Sequence, residues 1–133
     1  MNIDTKKIIK YWKYHADYDL KTAEALFESG RYPYCLFMCH LAMEKILKAL
    51  VVKTTKQHAP YTHDLVRLAK LTEIILTKKQ SDYLSTINEF NIEARYPEWQ
   101  RVFYKKATKK YTEKHLKISK DIYLWLEKKS QQK

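Results

Sequence analysis

The sequence predicts an all-α fold: an up-and-down bundle of four long or medium helices and one short helix. Three observations carry that expectation. The 133 residues contain a single glycine, too few for the sharp turns of a β-rich architecture. Hydrophobic residues make up 45% and charged residues 31%, a balance too apolar for a disordered chain. Apolar side chains recur at intervals of three and four along most of the length, the repeat of one helical face. A chain of this length fits one domain, expected over residues 1–133, and such a domain buries roughly two thirds of its unfolded surface.

Asp4 or Thr5 is placed to cap a first helix on which Ile9, Trp12, Ala16, Leu20, Ala23 and Phe27 share one face. Gly30 closes it, because glycine enters the left-handed conformation at a helix end without a Cβ penalty. Pro33 opens a second helix, where its missing N–H would have had no partner in any case. There Leu36, His40, Met43, Leu47 and Leu50 form one stripe, widened by Phe37, Leu41 and Ile46, so this helix is expected to be largely buried. After Val52 the segment KTTKQHAPY loses periodicity and contains Pro60, which predicts a loop. A short helix capped at Thr62 follows, carrying Leu65, Leu68 and Leu71.

Thr77 and Gln80 form a capping box, each side chain satisfying an N–H at the start of the next helix, so the fourth helix begins near Lys78. Leu84, Ile87, Asn91 and Ala94 continue its inner face until Pro97 imposes extended geometry on Tyr96. The last helix is expected from about Arg101 to about Lys128, with Tyr104, Ala107, Tyr111, Ile118, Ile122 and Trp125 along one side. Lys105, Lys106, Lys109, Lys110, Lys117 and Lys120 fall mainly opposite.

The net charge of +11 is unevenly placed: from residue 101 onward there are eleven Lys and Arg against three Asp and Glu. That lysine face suits a nucleic-acid backbone, bound without regard to sequence, and it equally suits the solvated side of an amphipathic helix. One glycine excludes Walker loops, dinucleotide fingerprints, nucleophile elbows and EF-hands, all of which need it where the backbone turns sharply or approaches a ligand. No apolar run approaches the ~20 residues of a membrane span, and MNIDTKKIIK lacks the apolar centre of a leader, so a cytoplasmic protein with no membrane partner is expected. Cys35 and Cys39, even with His40, make half a zinc site, so buried reduced thiols are expected and no metal or other cofactor.

The stretch HADYDLKTAEALFESGRYPYCLFMCHLAMEKILKALVV, followed by THDLVRLAKL, resembles the HEPN family of small helical proteins. The likeness rests on Asp19-Leu20, Ala23, Gly30, Tyr32, Ala42-Met43-Glu44-Lys45, Leu47-Lys48-Ala49-Leu50 and Thr62-His63-Asp64-Leu65, with NIEARYP as the piece before the last helix, and it covers about residues 8 to 126. The resemblance implies a compact bundle that pairs with a second copy, often beside a minimal nucleotidyltransferase in toxin and antitoxin pairs. It also implies, for active members, a metal-independent ribonuclease with an arginine, four to six residues, then a histidine. Members without that motif bind nucleotides or serve as accessory subunits. Here the positions after Arg95 that would hold histidine are Gln100, Arg101 and Val102. Arg31 lies nine residues before His40, and neither Arg67 nor Arg101 has a histidine in the window.

Metal-free RNA cleavage needs a proton acceptor, for which histidine is suited, and a group that stabilises phosphate charge. Arg95 supplies only the second, as a permanent cation with a planar fork of donors. One reading of the corner is therefore phosphate binding by Arg95 with Tyr96, Trp99 and Arg101. The other is a capped turn, with Arg95 on helix-end carbonyls and the aromatics packed. His63 and Asp64 read as local capping, although His63 could approach Arg95 across the fold. Glu44, Lys45 and Lys48 read as surface pairs or a dimer seam, or else Lys45 or Lys48 contacts a phosphate. His40 and His115 lie on apolar arcs and are expected to be partly buried. The expectation is a nucleotide- or RNA-binding homodimer with no catalytic residues of its own; the alternative is a ribonuclease using Arg95 with His63 or His40.

Overall fold

The computed structural model describes residues 3–132; Met1, Asn2 and Lys133, and with them the first two residues of the stretch compared above with a leader, lie outside the described residues. Six helices follow in order: α1 (Thr5–Glu28), α2 (Tyr32–Thr55), α3 (Leu65–Lys70), α4 (Lys78–Arg95), α5 (Pro97–Lys106) and α6 (Lys109–Gln131). The all-α expectation holds among the described residues. None of these helices is long and apolar enough to cross a membrane.

Local chemistry sets most of the boundaries. Asp4 Oδ1 accepts from the Lys7 backbone N–H at 3.1 Å and starts α1. Gly30 ends it at φ 76°; a Cβ there would meet nothing within 4 Å, so glycine is needed for its backbone conformation and not for space. The turn is short, so α1 and α2 run antiparallel and pack along their lengths. α2 is the central helix, in contact with α1, α3, α4, α5 and α6. Its Leu36, Met43, Leu47 and Leu50 meet Leu84, Ile87, Phe90, Phe103, Ile122 and Leu126 in the main core. Cys35 and Cys39 pack with Ala23 and Leu116 in a smaller cluster. The Thr77–Gln80 box is formed, at 2.9 and 3.1 Å, and α4 starts where expected.

Two boundaries differ from expectation. α3 is capped by Asp64 and not by Thr62: Asp64 Oδ1 accepts from the backbone of Val66 and Arg67 at 3.1 and 3.3 Å. Asn88 of α4 fixes this cap, donating to the same oxygen at 2.9 Å and accepting from the Leu65 N–H at 2.8 Å. Thr62 acts one step earlier, accepting from the Asp64 N–H at 3.2 Å. The expected single last helix is two helices, separated at Ala107 and Thr108. Thr108 is extended and its hydroxyl accepts from the Tyr111 N–H at 3.2 Å, so it caps α6. The break has a packing reason. Phe103 and Tyr111 both reach Phe90, with ring centroids 5.9 and 6.3 Å away, whereas an unbroken helix would turn them about 80° apart. Phe103 is therefore buried and Tyr104, expected inside, is half exposed.

Candidate functional site

His40, Glu44 and Lys48 stand at i, i+4 and i+8 on α2, all buried. Glu44 is the hub. Its Oε2 accepts from Lys48 Nζ at 3.1 Å and its Oε1 accepts from His63 Nδ1 at 2.7 Å, with His40 Nδ1 3.9 Å away. His40 Nε2 donates to the backbone carbonyl of His63 at 2.9 Å; a carbonyl only accepts, so this nitrogen carries the proton. Two groups of α2 thus hold His63, one by its backbone and one by its ring. With Nδ1 donating to Glu44, Nε2 is the nitrogen left for a ligand, on a side chain 31% exposed. Lys48 Nζ lies 5.1 Å from the Trp12 ring centroid and 5.9 Å from that of Tyr61, whose edge approaches His63.

Burial is the main reason the His40 imidazole is held below its ordinary value; the His63 carbonyl and Glu44 oppose the shift, while the charges of His63 and Arg95 add to it. Arg95 is therefore within electrostatic reach of this cluster. It ends α4 and is exposed. The Ala94 carbonyl is taken by Gln100 Nε2 at 2.9 Å, so Gln100 and not Arg95 seals the corner. Among the described residues no carboxylate lies within ion-pair distance of the Arg95 guanidinium. Tyr96 and Trp99 are half exposed and not packed inside. Arg101 and Lys105 are exposed on α5, where with Pro97, Gln100 and Tyr104 they line a shallow open hollow of about 530 Å³.

A family model for the HEPN domain matches residues 9–129 of the sequence. The chain belongs to the HEPN family. The crystal structure of TT1696 from Thermus thermophilus superposes on this HEPN fold with a TM-score of 0.78, covering 91% of this chain and 97% of that one, at 19% identity. At that identity the likeness speaks to the fold. No curated protein matches the sequence.

The HEPN bundle treats the other predicted residues differently. Lys45 pairs with the buried Asp19 at 2.6 Å and ties α2 to α1. Lys106 pairs with Glu93 at 2.8 Å and lies over Tyr111, so it leaves the expected lysine face for the bundle's interior edge. Lys120 pairs with Glu24 at 3.0 Å. Lys105, Lys109, Lys110 and Lys117 are exposed. His115 is buried against Phe90 and Tyr111, and burial, with Lys114 and Lys106, keeps its imidazole below the ordinary value. The Cys39 thiol is pushed well above its ordinary value by its hydrogen bond with Cys35 and by burial, and is therefore held as a thiol. No three His, Cys, Asp or Glu side chains are grouped to hold a metal among the described residues.

Glu44 as the hub, with Trp12 and Tyr61 beside Lys48, is not among the features the sequence marks as a site. A signal for the first was present: three polar residues at i, i+4 and i+8 along the arc of a helix otherwise read as buried.

Proposed function

We propose that this HEPN chain is a phosphate-binding module for a nucleotide or RNA, with Arg95 as the principal contact and His63, Lys48, Tyr96, Trp99 and Arg101 around it. It works as a homodimer and as the accessory partner of a minimal nucleotidyltransferase, in a toxin–antitoxin or defence setting of the cytoplasm, and has no nuclease activity of its own. Family membership supports a nucleotide- or RNA-related role. The observation that carries the reading is the unpaired Arg95: Gln100 satisfies the corner, and the exposed guanidinium has the half-exposed rings of Tyr96 and Trp99 beside it in the chain. A planar cation with five donors is suited to phosphate, and the rings are suited to stacking a base.

Anisotropy titration of a labelled single-stranded RNA and of a nucleotide, with wild type and Arg95→Ala, tests this. A charge-assisted hydrogen bond is worth about 1.5–3 kcal/mol, so Arg95→Ala should weaken binding by about 10- to 100-fold. Equal affinity for both proteins refutes the assignment. Freshly purified protein with excess absorbance near ~260 nm would add support through co-purified nucleotide.

One observation favours a second reading, that of a metal-independent ribonuclease. The 2.7 Å contact between Glu44 and His63 Nδ1 orients an imidazole whose Nε2 is free to accept a proton. RNA cleavage abolished by both His63→Ala and Arg95→Ala would replace the first reading with this one; intact RNA after prolonged incubation retains the first.

A further inference from the structure

The rings around Lys48 do not stop at the site. Tyr61 stands 5.7 Å from His63, and Lys48 Nζ bridges from Tyr61 to Trp12 of α1. From Trp12 the run continues over α1: Tyr11 lies 5.2 Å from Trp12, His15 4.4 Å from Tyr11 and Tyr14 5.3 Å from His15, centroid to centroid. A continuous line of rings, with one ammonium in it, therefore leads from His63 to Tyr14. It is open to solvent, because Tyr61, Tyr11 and Tyr14 are 93%, 54% and 65% exposed.

Cations gather at its far end. Tyr14 shares an open hollow of about 460 Å³ with Lys6, Ile9, Lys10 and Lys13. Among the described residues, neither these three lysines nor Lys7 has a carboxylate within ion-pair distance. The nearby aspartates are engaged: Asp4 caps the helix on the Lys7 N–H at 3.1 Å, and Asp17 pairs with Lys21 at 3.0 Å. Nor do the lysines serve α1 itself, since Lys6 and Lys7 stand in its first turn, where the dipole disfavours cations and no acid offsets them. An anionic ligand accounts for them.

Exposed rings beside unpaired cations suit a single-stranded nucleic acid, in which every base has a face to stack and every phosphate a charge. A duplex keeps its bases stacked inside and offers the rings nothing. A lipid surface fits less well, because an inserting helix needs a free apolar face, and Ala16, Leu20 and Ala23 of α1 are buried in the bundle.

We propose that the amino-terminal half of α1 is a platform for single-stranded nucleic acid, carrying the nucleotides that flank the phosphate held at Arg95 and His63. The platform rests on the preceding reading for that phosphate and narrows the ligand from a nucleotide to a strand. Bases stack on Tyr61, Tyr11 and Tyr14, and Lys6, Lys10 and Lys13 take the backbone. Rings and ammonium groups of this kind read neither a base edge nor a 2′-OH, so RNA and DNA strands both fit.

Anisotropy titration of the full chain with labelled RNA and DNA strands of about twelve nucleotides, and with a labelled dinucleotide, tests the platform. Both strands should bind more tightly than the dinucleotide and than a duplex of the same sequence. Tyr11→Ala with Tyr14→Ala should weaken the strands at least ~10-fold and leave the dinucleotide unaffected, with circular dichroism unchanged because both rings are outside the core. Lys6→Gln, Lys10→Gln and Lys13→Gln together should lower the salt slope for the strands by up to ~2, at ~0.7 per phosphate. Strands bound equally by wild type and the tyrosine variant overturn the platform. So does equally tight binding to vesicles of phosphatidylserine and phosphatidylcholine that the tyrosine variant also loses. Equal affinity of wild type and Arg95→Ala for the dinucleotide overturns the phosphate site of the preceding reading and leaves the platform standing on its own.

Discussion

Replacing Glu44 by Gln keeps the side chain's shape and removes its charge, which leaves the Lys48 ammonium in place with no counter-charge. The two side chains are only 6% and 7% exposed, so solvent screens the pair weakly. Removing one partner of a buried pair costs about 3–5 kcal/mol. The rings of Trp12 and Tyr61 attract the ammonium in both proteins and leave this difference unchanged, so the expected loss is about 3–5 kcal/mol. Unfolding entropy of ~2.1 cal/mol/K per residue makes ~3 kcal/mol equivalent to a fall of about 10 °C in Tm for a chain of this length. Adding Lys48→Met removes the stranded charge and keeps the volume, and should recover stability to within ~1 kcal/mol of wild type. Urea denaturation followed by far-ultraviolet circular dichroism measures all three proteins. A loss under ~1 kcal/mol for Glu44→Gln, or a double variant as unstable as the single, would refute the account of Glu44 as a charge-balancing hub.

Acid should destabilise the fold at mild pH. The His40 and His115 imidazoles are both held below the ordinary 6.5, mainly by burial, so the unfolded chain binds protons there that the folded chain refuses. Stability is full above that value and falls as the pH drops below it, and His115→Phe should flatten the decline in urea midpoints. Asp64 acts in a lower window. Burial would raise its carboxyl, but the hydrogen bonds from Asn88 and from the Arg67 and Val66 backbone outweigh this and hold it below the ordinary 3.8, so its contribution is lost only in stronger acid. Thr108→Ala removes the α6 cap and should cost about 1 kcal/mol in the same denaturation experiment. Neutralising Lys109, Lys110 and Lys117 together should reduce the salt slope of RNA binding by up to ~2, at ~0.7 per phosphate contact, with little effect on Tm. Lys106→Ala should do the opposite, because its charge is spent on Glu93.

The features legible in the sequence are those set within one or two turns. Asp4, Gly30, Pro33 and the Thr77–Gln80 box act on neighbours three or four residues away, and the helix ends they predict are the ends observed. What was not legible depends on distant partners. Thr62 and Asp64 are both capping residues two positions apart, and Asn88, 24 residues beyond Asp64, decides between them. The break at Ala107 has no glycine or proline to announce it; it follows from Phe103 and Tyr111 both seeking Phe90. Glu44 with Lys48 reads locally as a surface pair, and the arrival of His63 from a loop 19 residues away makes it a buried network. The charge placed at Arg95 was readable, but its lack of a partner depended on Gln100 reaching back to Ala94.

The division of the last helix has a further effect on how the chain fluctuates. α5 is bounded by the Pro97 corner on one side and Ala107 on the other, and Phe103 is the one buried side chain within it. Besides that ring it is tied by the Gln100 bond to Ala94 and the Lys106 pair with Glu93, a light set of contacts that lets it detach while the rest of the bundle stays folded, at a cost well below that of global unfolding. Amide protons of α5 should therefore exchange with solvent sooner than those of α2, and each such excursion carries Trp99 and Arg101 away from Arg95 and back.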